Sequence, residues 1–342
     1  MKVAVVGAGA IGAYVGAALS RGGANVALVA RGDHLRAMQA RGVLVHSEHG
    51  DFTARLNATD ELTTIGPVDV VILTLKAHQI GAIATTLPSL FHDDTTVISI
   101  QNGLPWWYFE RLGGPYDGMT LESVDPGGRI AAAIAPERVI GSVAYAASEL
   151  EAPGVVRHIG VTRFLLGEPD CTTSGRLATI ARAFEAGGLE TPISNDIRAE
   201  IWLKLLGNTS FNPISALTRA TLVDMADDPL VANLAREMMT ESVAILTRLG
   251  VTLAATVDER IDRARAVGAH KTSMLQDLEA GRPMEIEALL GSIVELGARL
   301  DIPTPATSHV YALTRLLAKQ IVPHPLHCRH GDVQANRLDA ET

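Results

Sequence analysis

Cysteine is nearly missing: Cys171 and Cys328 are the only two in 342 residues, and they lie far apart. That excludes a disulfide framework and suits a reducing compartment, so the expected location is the cytoplasm. Positive charge is also short. Lys and Arg number 29 against 38 Asp and Glu, a net charge of -9, which argues against nucleic acid as a partner. A local basic pocket for an anionic ligand stays open. No apolar run reaches membrane-spanning length, so no membrane is expected. The apolar start MKVAVVGAGAIG runs straight into a Gly-rich turn and reads as a strand, not a signal peptide. There is no internal repeat and no H-E-x-x-H, G-x-S-x-G or Walker pattern in a useful context. HPLHCRH (324–330) has three histidines and a cysteine but lacks structural-zinc spacing, so no metal is expected.

What is present is enough apolar sequence, 47% of residues, to fill the core of a two-domain globular protein. The first third alternates short β-rich runs with helical ones. KVAVV (2–6), NVALVAR (25–31), VDVVILTLK (68–76) and TTVISIQNG (95–103) read as strands. Their near-continuous apolar character suits a parallel sheet covered on both faces. IGAYVGAALSRGG (11–23) and GRLATIARAFEAGG (175–188) read as helices. VIGSVAYAASEL, GVVRHIG and TRFLLGE read as three further strands, ETPISN as a last short one, and SVDPGGRI (123–130) as a turn between strand-like runs. Beyond Asn195 the pattern turns helical, over 196–212, 229–249, 256–268, 284–300 and 304–320, the first with Asp196 as N-cap. The expected fold is an α/β N-terminal Rossmann-type dinucleotide-binding domain over 1–194, an all-α domain over 195–325 and a polar tail over 326–342.

The chemistry begins at GAGAIG, Gly7-Ala8-Gly9-Ala10-Ile11-Gly12, which follows a strand and opens a helix. G-x-G-x-x-G in that context is a dinucleotide signature. Gly7 permits the tight turn, Gly9 lets the backbone approach a pyrophosphate, and Gly12 allows close helix–sheet packing. The second strand ends at Ala30-Arg31 rather than at the acid that holds NAD ribose hydroxyls. A guanidinium there grips a 2′-phosphate, which favours NADPH/NADP+; the alternative is a solvated surface arginine. Lys76 and Gln101-Asn102-Gly103 close two more strands at the edge where such sheets bind ligands. Lys76 is expected at the cofactor, and Asn102 at nicotinamide or substrate; a solvated lysine and an ordinary Asn-Gly turn are the plain alternatives.

In EIWLKLLGNTSFNPISALTR (200–219), Lys204, Asn208 and Asn212 recur at helical spacing and form one polar strip. Gly207 sits inside that helix, which makes sense where a ligand or another backbone approaches closely. Pro213 is expected to end or kink the helix. A lysine reaching solvent beside two locally bonded asparagines is the alternative. A second polar cluster lies in SMLQDLEAGRPMEIEALLG (273–291), where Pro283 suits N1 of a helix and Glu285 its first turn; a plain first-turn acid at Glu285 and a plain helix cap at Ser273 are the alternatives. Arg157-His158 reads as structural or cofactor-adjacent.

With these motifs quoted, the chain resembles the ketopantoate reductase (2-dehydropantoate 2-reductase) family. The likeness is carried by GAGAIG, Arg31, TLKAHQ around Lys76, QNG around Asn102, DIRAEIWLKLLGNTSFNP and SMLQDLEAGRPMEIE, in that order along most of the chain. The resemblance implies NADPH on the N-terminal domain and a 2-oxo acid in the cleft. It implies Lys204 as general acid and Glu285 as ligand of a substrate hydroxyl. It implies Asn102, Asn208 and Ser273 as substrate-positioning groups and Lys76 as a cofactor contact. The implied reaction is reduction of 2-dehydropantoate to (R)-pantoate in pantothenate biosynthesis. Other branched 2-oxo acids, or a dinucleotide sensor without turnover, are the alternatives. Two departures bear on the substrate: the long 104–138 segment with its WWYF cluster, and His270 where compact members can carry an asparagine. A homodimer through the helical domain is expected.

Overall fold

The computed structural model describes residues 1–320. Cys328, HPLHCRH and the polar tail lie outside the described residues. The short Val/Ile-rich runs form the strands β1 (Lys2–Val6), β2 (Asn25–Val29), β3 (Val43–His46), β4 (Phe52–Ala54), β5 (Asn57–Thr59), β6 (Val70–Leu73), β7 (Thr96–Ser99), β8 (Val139–Ala152) and β9 (Val155–Gly167). They make one nine-stranded sheet in the order β4-β3-β9-β8-β7-β6-β1-β2-β5. From β7 through β6, β1 and β2 to β5 all pairs are parallel. Every residue of β6 and β7 is buried, as a sheet covered on both faces requires. Along β1 the two-residue period sends Val3 and Val5 into one apolar cluster and Ala4 and Val6 into another.

The helices on this sheet are α1 (Ala10–Arg21), α2 (Gly32–Arg41), α3 (Ala77–Ile80), α4 (Arg129–Ala133) and α5 (Gly175–Ala186). After the bridge of Leu166 to Ile193, all remaining elements are helical. They are α6 (Ile197–Thr218), α7 (Leu222–Asp227), α8 (Pro229–Leu249), α9 (Val257–Val267), α10 (Ser273–Glu279), α11 (Ser292–Leu300) and α12 (Pro305–Gln320). Among the described residues no helix is long and apolar enough to cross a membrane.

Several local expectations are corrected. Pro213 does not end α6, which runs 22 residues to Thr218 and stops where Arg219 turns left-handed at φ 66°. Residues 209–216 are all buried, and that packing offsets the roughly 3 kcal/mol that proline costs inside a helix. The 123–130 stretch is a 3-10 turn over Pro126–Gly128 leading into α4, not a hairpin turn. The buried Asp125 carboxylate accepts from the Ile130 and Ala131 amides, both at 2.9 Å, and so starts that helix. The three strands expected after residue 138 are two long ones, β8 and β9, in a single antiparallel pair. The helix expected from 284 begins at Ile286 and is π-helical over Glu287–Gly291 before α11, so Pro283 and Glu285 precede it. Within the helical half, α7 and α10 lie outside the helices that the sequence pattern predicts.

The WWYF cluster is core. Trp106, Trp107, Tyr108 and Phe109 are all buried against α6, where Trp202 Nε1 donates to Tyr108 Oη at 2.7 Å. Arg198, near the start of α6, donates to the carbonyls of Tyr108 (2.8 Å), Glu110 (2.7 Å) and Pro169. The segment thus anchors the first helix of the helical part to the sheet. His158 is likewise packed in, stacked on Tyr14 with ring centroids 4.6 Å apart.

Candidate active site at the sheet–helix seam

The glycine turn has the shape its spacing predicts. Gly7 takes φ +105°, and a Cβ there would lie 2.8 Å from the Leu75 amide nitrogen. A Cβ on Gly12 would lie 2.3 Å from the Gly7 carbonyl, so helix and turn touch only because it is glycine. A Cβ on Gly9 would meet nothing within 4 Å. That open flank lies at the start of α1, which has no acidic residue in its first turn and no side-chain cap. Its free N–H groups fit a pyrophosphate. Thr74 Oγ1 donates to the Gly7 carbonyl at 2.7 Å and ties the turn to the end of β6. The turn follows β1, which is flanked by β2 on one side and β6 on the other, the switch point where open α/β sheets bind ligands. Arg31 is exposed at the N-cap of α2.

The next two strand ends reach across to the helices. Lys76 Nζ donates to Asp277 Oδ2 and to the Pro283 carbonyl, both at 2.6 Å. Asp277, on α10, is buried and also accepts from Arg282 Nε at 2.9 Å. Glu285 is gripped from the sheet side. Its Oε1 accepts from the Ala77 amide at 3.1 Å and its Oε2 from Asn102 Nδ2 at 3.2 Å. Gly103, at φ +88°, lets the turn press on the π-helical segment, where the Leu104 amide donates to the Ala288 carbonyl at 3.0 Å. These tertiary bonds draw 283–285 out of the helix that local pattern suggests. Burial raises the Glu285 pKa above the ordinary carboxylate range, while the bonds from Ala77 and Asn102 pull it back.

Lys204 projects from α6 toward β8. Its Nζ donates to the Ala144 carbonyl at 2.7 Å and lies 5.8 Å from the Tyr145 ring centroid. The residue is half-buried, and its ammonium is desolvated. That desolvation lowers its pKa to about 8, against the opposing pull of the Glu285 charge. Asn208, one turn on, makes no side-chain hydrogen bond among the described residues, and Asn212 is buried.

The structure therefore gathers Lys76, Asn102 and Glu285 directly and sets Lys204 within electrostatic reach of Glu285. Ser273 is not bonded to this group. It is exposed in the first turn of α10, and the cap there is Thr272, whose side chain accepts from the Leu275 amide. His270 is exposed, its carbonyl accepting from the Leu222 amide at 3.0 Å. Sequence reasoning missed Asp277, whose partner is 201 residues away. It missed Arg260 as well, although Gly207 signalled it: a Cβ on Gly207 would lie 2.5 Å from Arg260 Nη2.

A dinucleotide turn and a lysine of depressed pKa in one fold are equipment for hydride transfer. It places the chain among the dinucleotide-dependent oxidoreductases. Comparison with known sequences makes the assignment particular. Residues 3–107 match the family "Ketopantoate reductase PanE/ApbA", and residues 196–318 match "Ketopantoate reductase PanE/ApbA C terminal". The chain belongs to the ketopantoate reductase family. It is 48% identical to a 2-dehydropantoate 2-reductase of Mesorhizobium japonicum, over 93% of this chain and 98% of the relative. A crystal structure of 2-dehydropantoate 2-reductase from Geobacter metallireducens is similar at a TM-score of 0.81 and 30% identity, covering 94% of this chain and all of the other. D-mandelate dehydrogenase, solved with NADH and anilino(oxo)acetate, shares the fold at a TM-score of 0.80 and 21% identity, over 94% and 99% of the two chains.

Proposed function

We propose that this chain reduces 2-dehydropantoate to (R)-pantoate with NADPH, in pantothenate biosynthesis, with Lys204 as general acid. The observation that carries the reading is the Lys204 ammonium, desolvated and of lowered pKa, within electrostatic reach of a Glu285 held by Ala77 and Asn102. When bound, the dinucleotide supplies the hydride. Gly7, Ala8, Gly9, Ala10, Ile11 and Gly12 cradle its pyrophosphate, and Arg31 takes the 2′-phosphate. As hydride adds to the 2-oxo carbon, the carbonyl oxygen gains a full negative charge. Lys204 spends one N–H on Ala144 and has two left to stabilise that oxygen. It then gives the oxygen a proton, becomes a neutral amine and regains its proton from water. Glu285 retains lone pairs for a substrate hydroxyl, and Asn102, Asn208 and Ser273 position the substrate. Lys76 acts at the cofactor edge from its place on Asp277.

Similarity to a 2-dehydropantoate 2-reductase across nearly the whole chain supports this substrate over other branched 2-oxo acids. The NADPH preference rests on Arg31, since a fold relative was solved with NADH. The same reading divides the chain at 194/195, places it in the cytoplasm and pairs two copies through the helical domain, where Leu313 and Leu316 of α12 are exposed. A panel of 2-oxo acids with NADPH and NADH tests it. Fastest turnover is expected with 2-dehydropantoate and NADPH. Turnover of another 2-oxo acid in preference would reassign the substrate, and cofactor binding without turnover of any would leave a sensor.

A further inference from the structure

Two arginines, one on α6 and one packed against it, treat their charge differently. Arg198 is 6% exposed and satisfies its guanidinium on three backbone carbonyls. Arg260, on α9, lies over the bare backbone of Gly207, between Lys204 and Asn208 in the sequence of α6. Its Nε is buried and finds no hydrogen-bond partner among the described residues. The charged and titratable groups that act on it are Tyr145 and a second cation, Arg263; no carboxylate is among them. Tyr145 is the residue whose ring lies beside the Lys204 ammonium. Arg163, Arg263 and Glu200 also act on that phenol, and Arg163 faces Glu190 at 3.3 Å. Arg260 as a whole is half-buried, so its guanidinium is partly desolvated with no anion beside it, and that desolvation lowers its pKa below the usual arginine value. A substrate that brings the anion removes the penalty and is selected for carrying it.

We propose that Arg260 is the anion-binding side chain of this site and takes the carboxylate of the 2-oxo acid. The inference rests on the reductase reading above and adds a specificity residue to it. Gly207 is the space that lets the planar guanidinium lie against α6 on the flank of the Lys204 strip. The carbonyl oxygen then falls to Lys204 and the carboxylate to Arg260, and Tyr145 neighbours the Lys204 ammonium and acts on the Arg260 charge.

The test compares wild type, Arg260→Ala and Arg260→Lys on 2-dehydropantoate and on its methyl ester, with NADPH varied separately. Arg260→Ala should raise KM for the acid by about 100-fold, leave the ester unchanged and keep kcat within about threefold. Arg260→Lys should recover part of the loss. The melting temperature of Arg260→Ala should hold, because the half-buried guanidinium makes no hydrogen bond among the described residues for the substitution to break. An unchanged acid-to-ester ratio overturns the inference. So does a rise confined to the KM of NADPH, which would assign the guanidinium to cofactor phosphate. Should wild type turn over no 2-oxo acid, the reductase reading fails by itself. Arg260 is then judged by calorimetric binding of pantoate, where equal affinity in wild type and Arg260→Ala overturns the inference too.

Discussion

The two sides of the seam use their polar groups in opposite ways. On the sheet side, Lys76, the Ala77 amide and Asn102 all bond to Asp277, Pro283 or Glu285 at 2.6–3.2 Å. On the helix side, Lys204 makes one bond, and Asn208 and Arg260 make none among the described residues. Bonds across the seam fix where the sheet-side groups stand; donors left unspent on the helix side are groups waiting for a ligand. The difference separates what positions the site from what acts in it.

Substitutions on each side should therefore fail differently. The largest effect is expected for Lys204→Ala, which removes proton donor and charge stabilisation together. Steady-state kinetics should show kcat down by about 1,000-fold with cofactor affinity kept. Arg198→Ala belongs to the saturated class. It strands three carbonyls and should cost about 3 kcal/mol of stability in urea unfolding, while Arg260→Ala costs none. Asp277→Asn breaks the charge pairing of Lys76 across the seam. About 2 kcal/mol, or roughly 30-fold in kcat/KM, is expected, and loss of both kcat and stability would mark it as positioning. Smaller still is Arg31→Ala, which should cut the preference for NADPH over NADH by about tenfold without touching kcat. If Asp277→Asn proved silent and Asn208→Ala unfolded the protein, the comparison would be inverted.

The parallel sheet and the helical half were legible because both rest on periodicity. Apolar runs such as VVILTL and the Gly7/Gly9/Gly12 spacing are dictated by backbone geometry over a few residues. Lys204, Asn102, Glu285 and Lys76 were visible as polar residues where local pattern does not need them. Their mutual arrangement was not visible, because it depends on contacts spanning 60 to 208 residues. The same long-range bonds explain the misread stretches. Glu285 leaves its helix for Ala77 and Asn102, and Pro213 stays in one because the surrounding core overrules a local breaker. Trp106–Phe109 looked like a substrate feature and is packing, since nothing in WWYF announces that Trp202 waits 94 residues away.

The most direct measurement is the pH dependence of kcat for NADPH-driven reduction of 2-dehydropantoate by the wild-type chain. Lys204 must be protonated to act as the acid, and burial lowers its pKa to about 8. The account predicts that kcat falls as pH rises through about 8 and that Lys204→Ala loses this limb with most of its rate. A kcat that stays level to pH 10, or a Lys204→Ala enzyme turning over at the wild-type rate, would contradict it.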